Sequence, residues 1–310
     1  MSLRIVSLLP SATEIVCALG LRDALVGVSH ECDFPAGVAG LPVLTSAKLD
    51  ASRTSGEIDR DVRKLLEQGL GIYRIDVDAL RTLAPDLIVT QDQCDVCAVS
   101  YGDVQTAVRA IARPGTEIVS LRPSRLDDVW RDVETVADAA GVASRGHDLA
   151  TALRSRVTDL AERTARLPKE RLACLEWFTP LMAAGNWVPD LAAAAGATCE
   201  LAEPGAHSSW LDWQALVDAR PDVLCAMPCG FTLSRTVGEL RELLREPRWQ
   251  DIPAVRSGRV FALDGSSYFN RPGPRLAESA EILAGVLHPA DLGHLVPDGA
   301  ARRVAGDARG

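Results

Sequence analysis

The sequence predicts an α/β protein of two lobes joined by a long helix. Three observations carry that prediction. Short apolar runs of strand length feed directly into helical stretches, which is the unit of a parallel α/β sheet. A long stretch of helical periodicity occupies the middle of the chain. A sequence unit of the first half returns in the second. At 310 residues the chain is too long for one small core and suits two lobes of about 150 residues.

The first apolar run, Ile5-Val6-Ser7-Leu8-Leu9, reads as a strand. Pro10-Ser11-Ala12-Thr13-Glu14 then reads as a turn with a capping box, Ser11 capping a helix and Glu14 reaching back to it. Strands are expected next at Ala24–Ser29, Leu87–Thr90 and Glu117–Leu121, completing an amino-terminal lobe over residues 1–122. Residues 123–168 are expected to be helical, from Leu126 to Ala140 and again from His147 to Leu167. In the second stretch Leu149, Leu153, Val157 and Leu160 share one face, while Arg154, Arg156, Asp159 and Arg163 take the others. A helix of this length is a stiff connector, and Pro168 ends it. Strands at Leu172–Trp177, Asp222–Met227 and Arg259–Leu263 build a carboxy-terminal lobe over residues 169–288. Residues 289–310, rich in Ala, Gly, Arg and Asp with little apolar period, are expected to be a mobile tail.

The repeat supports this symmetry. Ala79 to Val89 reads ALRTLAPDLIV and runs on to Cys94, whereas Ala215 to Cys225 reads ALVDARPDVLC and runs on to Cys229. Each is a helix, a Pro-Asp turn, a buried strand and a cysteine-bearing loop. Ligands of open α/β sheets bind beyond the carboxyl ends of the strands, so the two loops would face a shared crevice if the lobes face each other.

Apolar residues make up 47% and charged residues 24% of the chain, which excludes global disorder. The 33 basic and 42 acidic residues leave a net charge of −9, a field that repels phosphate backbones and anionic lipid, so nucleic acid is not an expected partner. No apolar run reaches the ~18 residues that span a bilayer. In the first twenty residues Arg4 precedes an apolar stretch, but Pro10 and Glu14 interrupt it, and Glu14 stands where a lipoprotein cleavage site before Cys17 would carry an apolar residue. With no export signal read there, a cytoplasmic location is expected. The eight cysteines would then lie in a reducing compartment, where paired thiols serve metal or redox chemistry more often than structural disulfides.

Gln91-Asp92-Gln93-Cys94-Asp95-Val96-Cys97 is the strongest local signal, because two cysteines at this spacing can turn both sulfurs toward one zinc ion or iron–sulfur cluster. Cys229 in Met227-Pro228-Cys229-Gly230-Phe231 could supply a third sulfur, and Ser29-His30-Glu31-Cys32-Asp33 a nitrogen from His30 and a fourth sulfur from Cys32. The opposing reading is core packing, which is expected outright for Cys17, Cys174, Cys199 and Cys225. His207 is as ordinary a loop residue as His30 is in that reading, and His147, His288 and His294 are expected at the surface. Trp187, in Gly185-Asn186-Trp187-Val188-Pro189, either paves a pocket for a flat ligand or covers the base of the next helix. Trp210, Trp213 and Trp249 fit helix packing. Tyr268-Phe269-Asn270-Arg271-Pro272-Gly273-Pro274-Arg275 is a loop fixed by proline and glycine that either presents Asn270 and Arg271 rigidly or merely connects strand to helix. No Ser-His-Asp set, phosphate loop or GxGxxG is present, so no catalytic residue is assigned.

The opening Arg4-Ile5-Val6-Ser7-Leu8-Leu9-Pro10-Ser11-Ala12-Thr13-Glu14, the two Pro-Asp-strand units and the mid-chain helix resemble the vitamin B12-binding proteins of bacterial ABC importers, within the wider superfamily of metal and siderophore receptors. The resemblance covers nearly the whole chain before the tail. It implies two Rossmann-like lobes bridged by one rigid helix, as in class III substrate-binding proteins, with cobalamin or another corrinoid held in the crevice between them. By position it implies that Pro10, Ser11, Ala12, Trp187, Asn270 and Arg271 line that crevice, joined by Phe231 after Cys229. Three departures qualify what is implied. The export signal is not read. The importer proteins carry in each lobe a glutamate, seven residues before the Pro of the Pro-Asp turn, that pairs with transporter arginines. Asp78 and Gln214 stand at those positions here, one shortened and one uncharged, so docking to a membrane transporter is at least half lost. The cysteines, finally, are not what a B12 pocket requires. The expectation is a cytoplasmic binding protein for a corrinoid or related metal-containing small molecule. The alternatives are a metalloprotein, possibly an enzyme, with zinc or an iron–sulfur cluster on the cysteines, and an ABC-importer substrate-binding subunit.

Overall fold

A computed structural model describes residues 3–67, 73–91 and 115–304. The chain divides into two compact units, one of Met1–Arg53, Glu57–Pro123 and Asp127–Leu153, the other of Thr54–Gly56, Ser124–Leu126 and Arg154–Gly310. The division falls inside a 22-residue helix, Ala143–Thr164, which begins four residues before the expected start.

The first unit is built on β1 (Ile5–Ser7), β2 (Leu25–Val28), β5 (Leu87–Gln91) and β6 (Glu117–Leu121), all parallel in the order β2-β1-β5-β6. Between them β3 (Thr45–Ala47) and β4 (Tyr73–Ile75) form a separate antiparallel pair. Both faces of the sheet are covered, as a parallel sheet requires. Successive strand residues therefore alternate between two cores. Ile5, Leu87 and Val89 face the cluster that includes Ala12, Ile15 and Val133. Val6 and Ile88 face Leu44 and Leu80.

The first helix, Pro10–Ala18, starts two residues earlier than the capping box requires. Proline at the first helical position has its φ set for the helix and lacks an N–H that would need a partner. Leu9 consequently becomes the N-cap, and its side chain caps nothing. Ser11 is left inside the first turn, where its hydroxyl is buried with no hydrogen-bond partner. The polar contacts fall to its neighbours: Ser7 Oγ donates to the Leu9 carbonyl at 2.9 Å and accepts from Thr13 Oγ1 at 2.8 Å.

The second unit centres on three parallel strands, β7 (Glu170–Trp177), β11 (Val223–Ala226) and β12 (Val260–Leu263), adjacent in that order. Beyond β7 lie β8 (Met182–Ala183) and β10 (Ser209–Trp210), both antiparallel, while β9 (Ala197–Thr198) pairs with the start of β7. The other edge is closed by β13 (Ala301–Arg303), antiparallel to β12. The mobile tail is thus corrected through residue 304: Pro289–Leu292 is helical, and Leu292, Ala300 and Val304 are buried. Its anchors are single apolar residues separated by polar ones, as befits an edge strand, so no period announces them. Two smaller expectations also change. His288 is buried rather than superficial, and Trp210 lies exposed on the edge rather than packed on a helix.

The repeat has a physical cause. In each unit a short helix, Val77–Leu83 or Trp213–Asp218, is capped by an aspartate, Asp76 accepting from the Ala79 N–H at 2.9 Å and Asp212 from the Gln214 N–H at 2.8 Å. The chain then turns through a residue with φ of 44°, Ala84 or Arg220, into Pro-Asp. Each Pro-Asp aspartate accepts from the backbone N–H that opens the unit's first strand, Asp86 from Arg4 and Asp222 from Arg171, both at 3.0 Å. Asp222 also receives the Arg171 side chain through Nε at 3.0 Å and Nη2 at 2.7 Å. Those hydrogen bonds hold its carboxyl at about 2, below the ordinary 3.8. A depressed carboxyl stabilises the fold above its unfolded value, and that contribution disappears as pH falls through the folded one. Asp222→Ala is therefore expected to cost about 1 kcal/mol at pH 7, little because the pair is solvated, and to flatten the acid limb of stability. Thermal melts of both proteins at pH 7 and pH 3 check this, and an unchanged difference between the two pH values contradicts it.

Candidate functional site

In an open α/β sheet the ligand face lies where the strand order reverses, because the loops leaving two neighbouring strands diverge there. In the first unit the chain leaves β1 for β2 on one side and returns to β5 on the other. The reversal sits between β1 and β5, at the loop carrying Pro10. In the second unit the chain leaves β7 for β8, β9 and β10 and returns to β11 on the far side. Its reversal sits between β7 and β11, at Glu176-Trp177-Phe178 and Met227-Pro228-Cys229-Gly230-Phe231.

The first unit's face combines the Pro10 turn with the loop after β2. Pro10 is half-buried, while Ser11 and Ala12 are buried. Thr13 Oγ1 lies 3.1 Å from Cys32 Sγ, which places Cys32 in the buried polar cluster under the turn. His30 is exposed, with Nδ1 2.7 Å from Thr45 Oγ1 and its ring 5.4 Å from the Tyr73 ring. The Thr45 hydroxyl also reaches Ser29 Oγ at 3.1 Å, so the imidazole is held by side chains from β3 and β4.

The second unit's face is aromatic and cationic. Phe231 is buried, with the rings of Trp177 and Phe178 edge-on at 5.4 and 6.3 Å. The Arg235 guanidinium carbon stands 3.5 Å above the Phe231 ring centroid, a cation–π contact. Trp177 is only partly buried, and its indole donates to the Ser55 carbonyl at 3.2 Å. Glu239 accepts from the Ser55 N–H at 2.8 Å and from its hydroxyl. The Asn270 amide donates to the carbonyls of Met227 at 2.8 Å and Gly265 at 3.2 Å, stitching the β12 loop to the end of β11. Arg271 is 8% exposed. Trp187, also buried, donates its indole N–H to the Phe269 carbonyl at 2.9 Å, so the ring braces the Asn270 loop from beneath.

The residues singled out in sequence thus fall into two roles. His30 and the half-buried Pro10 are accessible on the first unit, whereas Phe231, Trp187 and Asn270 support the face of the second. Trp177, Phe178, Arg235 and Glu176 were not singled out. The signal was present, since an aromatic pair, Trp177-Phe178, closes β7 at the positions that Pro10 and Ser11 hold relative to β1. The expected metal set of Cys94, Cys97, Cys229 and Cys32 finds no support. Cys94 and Cys97 lie outside the described residues, Cys32 belongs to the first unit and Cys229 to the second. Among the described residues no group of three or more His, Cys, Asp or Glu side chains is placed to hold a metal ion. Asp78 and Gln214 occupy the same position, second in helices capped by Asp76 and Asp212. The Asp78 side chain is 90% exposed and pairs with Arg81, while Gln214 donates to Asp218 at 2.8 Å.

Two α/β units in one chain, each anchored by the same aspartate turn and each with a strand-end face at its own reversal point, define a two-lobed binding protein. The chain belongs to the periplasmic binding protein family, whose sequence pattern it matches over residues 5–266. It is 23% identical to an uncharacterized ABC transporter substrate-binding lipoprotein, YvrC, of Bacillus subtilis, over 92% of this chain and 80% of that one. It is 24% identical to the vitamin B12-binding protein of Vibrio parahaemolyticus, over 88% of this chain and 84% of that one. Among solved structures it superposes on the periplasmic heme-binding protein RhuT of Roseiflexus with a TM-score of 0.69 at 25% identity, covering 94% and 99% of the two chains. The periplasmic vitamin B12-binding protein BtuF of Vibrio cholerae gives a TM-score of 0.65 at 22% identity, covering 93% and 97%. These relatives overturn the cytoplasmic expectation, because they are a lipoprotein and periplasmic proteins. Pro10 and Glu14 interrupt the opening apolar run because β1 and the first helix are part of the folded unit, which carries no information about compartment.

Proposed function

We propose that this chain is the substrate-binding component of an ABC importer and that its cargo is a corrinoid, a flat metal chelate. The observation that carries the reading is the cluster of Trp177, Phe231 and Arg235 at the reversal point of the second unit. An aromatic edge suits the face of a macrocycle, and a guanidinium suits its amide, carboxylate or phosphate periphery. The names of the relatives support the same class, since they bind vitamin B12 or heme. Heme is the second reading, favoured by Arg235, because a guanidinium group matches carboxylate side arms better than neutral amides. On the transporter side, Asp78 carries the charge that Gln214 lacks.

Titration with cyanocobalamin and, separately, with hemin tests this through quenching of tryptophan emission. Micromolar or tighter binding of cyanocobalamin is expected, and Arg235→Ala is expected to weaken it by about tenfold, the value of one cation–π or charged contact. Binding of hemin alone rejects the corrinoid and retains the chelate class. Binding of neither rejects the reading.

A further inference from the structure

Three cysteines of the second unit come together on its sheet. Cys174 of β7 and Cys225 of β11 are partners in the strand register, so their side chains point to the same face. Cys199 follows β9, which pairs with the start of β7. Its thiol lies within hydrogen-bonding reach of the Cys174 thiol, and its sulfur also accepts from the backbone N–H groups of Cys174 and Leu201. Cys174 and Cys225 are buried, whereas Cys199 is partly exposed. The three thiols therefore differ in chemistry. The hydrogen bond from Cys174 and the two amide donors favour the thiolate of Cys199 and hold its pKa below the ordinary value. That same contact and burial raise Cys174 well above the ordinary thiol value, and burial, reinforced by the Cys199 charge, raises Cys225 as well.

We propose that Cys174 and Cys199 form an intramolecular disulfide when the protein meets a disulfide oxidant such as oxidised glutathione. The Cys199 thiolate attacks the oxidant's S–S bond, forms a mixed disulfide and releases one thiolate, which takes up a proton. Cys174 then loses its proton and attacks the Cys199 sulfur, expelling the second oxidant thiolate. The balance is two protein thiols oxidised to one disulfide and one oxidant disulfide reduced to two thiols. The new bond closes a loop over residues 175–198, which holds β8, β9 and the helix Val188–Ala194, and it ties the edge of the sheet to its central strand. Cys225 stays a thiol beside it. The proposal stands apart from the identity of any ligand, and so does its test.

The full chain is purified in reductant, exchanged into oxidised glutathione, alkylated in denaturant and cleaved after glutamate. Peptide 171–176 then carries Cys174, peptide 177–200 carries Cys199, and peptide 201–239 carries Cys225 and Cys229. The expected product is 171–176 joined to 177–200, lighter than the separate peptides by two hydrogens and released by dithiothreitol. Cys225→Ser keeps the link and Cys199→Ser loses it. Reduction of the wild-type protein lowers its thermal midpoint by roughly 5 °C, the effect of reopening a loop of this length. The proposal is overturned when both peptides are fully alkylated, when 171–176 is joined to 201–239, or when Cys199 holds glutathione while Cys174 is alkylated. The wild-type and Cys225→Ser results decide the matter even if Cys199→Ser fails to fold.

Discussion

Replacing Gly265 by alanine is expected to lower the thermal midpoint by roughly 10 °C, a cost of about 3 kcal/mol, and to abolish the corrinoid binding proposed above. A β-carbon at this position would stand 2.3 Å from the Pro228 carbonyl oxygen, 2.7 Å from that of Met227 and 2.8 Å from the Asn270 amide nitrogen. Two of those three atoms are backbone at the end of β11, so relief requires moving a strand end and not a side chain. The same movement breaks the Asn270–Met227 hydrogen bond and displaces the loop that carries Phe231. Gly238→Ala is the control. It lies in the helix Leu233–Leu244 with open space around it, and there alanine is expected to be neutral or to add up to about 1 kcal/mol of stability. Thermal melts and ligand titration of both variants check the pair, and a Gly265→Ala protein that melts with the wild type refutes the crowding account.

Asp132→Asn is expected to stabilise the protein at pH 8 on the order of 3 kcal/mol and to remove a pH dependence that the wild type shows. Asp132 lies in the helix Leu126–Ala139, and its Oδ2 is buried with no hydrogen-bond partner. Burial, reinforced by the neighbouring Asp128 charge, pushes its carboxyl up to about 7 from the ordinary 3.8. Between those two values the unfolded chain has released its proton while the folded one retains it. Stability therefore falls as pH rises from about 4 to about 7 and is level above that. Asparagine imitates the protonated acid and never ionises, so the variant lacks the decline. Denaturant titrations at pH 5 and pH 8 measure both effects. A wild-type protein equally stable at both values, or a variant no better at pH 8, contradicts the assignment.

The strands that build both sheets were legible because buried parallel strands are continuous apolar runs bounded by turn residues. Leu87–Gln91 and Val223–Ala226 are buried at every position, and the Pro-Asp repeat marks the entry to each. The two-residue strands Met182–Ala183 and Ser209–Trp210 were not legible, since they are fixed by pairing with β7 and with each other and have no pattern of their own. At Ser11 the capping pattern was outweighed by Pro10, which sets the helix start two residues earlier. The faces themselves were half visible. Loops at the ends of β11 and β12 could be picked out by their glycines and prolines, but whether Phe231 meets a ligand or supports Arg235 depends on a helix that follows it. Cys174 and Cys199 carry no comparable signal, because they are distant in sequence and are brought near each other through the pairing of β9 with β7.

The antiparallel strand at residues 301–303 bears on how the protein is made. Every strand of the first unit is supplied by residue 121, so that sheet can assemble while the ribosome is still translating. The second sheet keeps an open margin beside β12 until Arg303 has been added and the chain can double back. A nascent or truncated polypeptide halted before that point presents a raw edge on which a second molecule could template. Premature termination after Val296 is therefore a route to intermolecular aggregation and not merely to a shorter product.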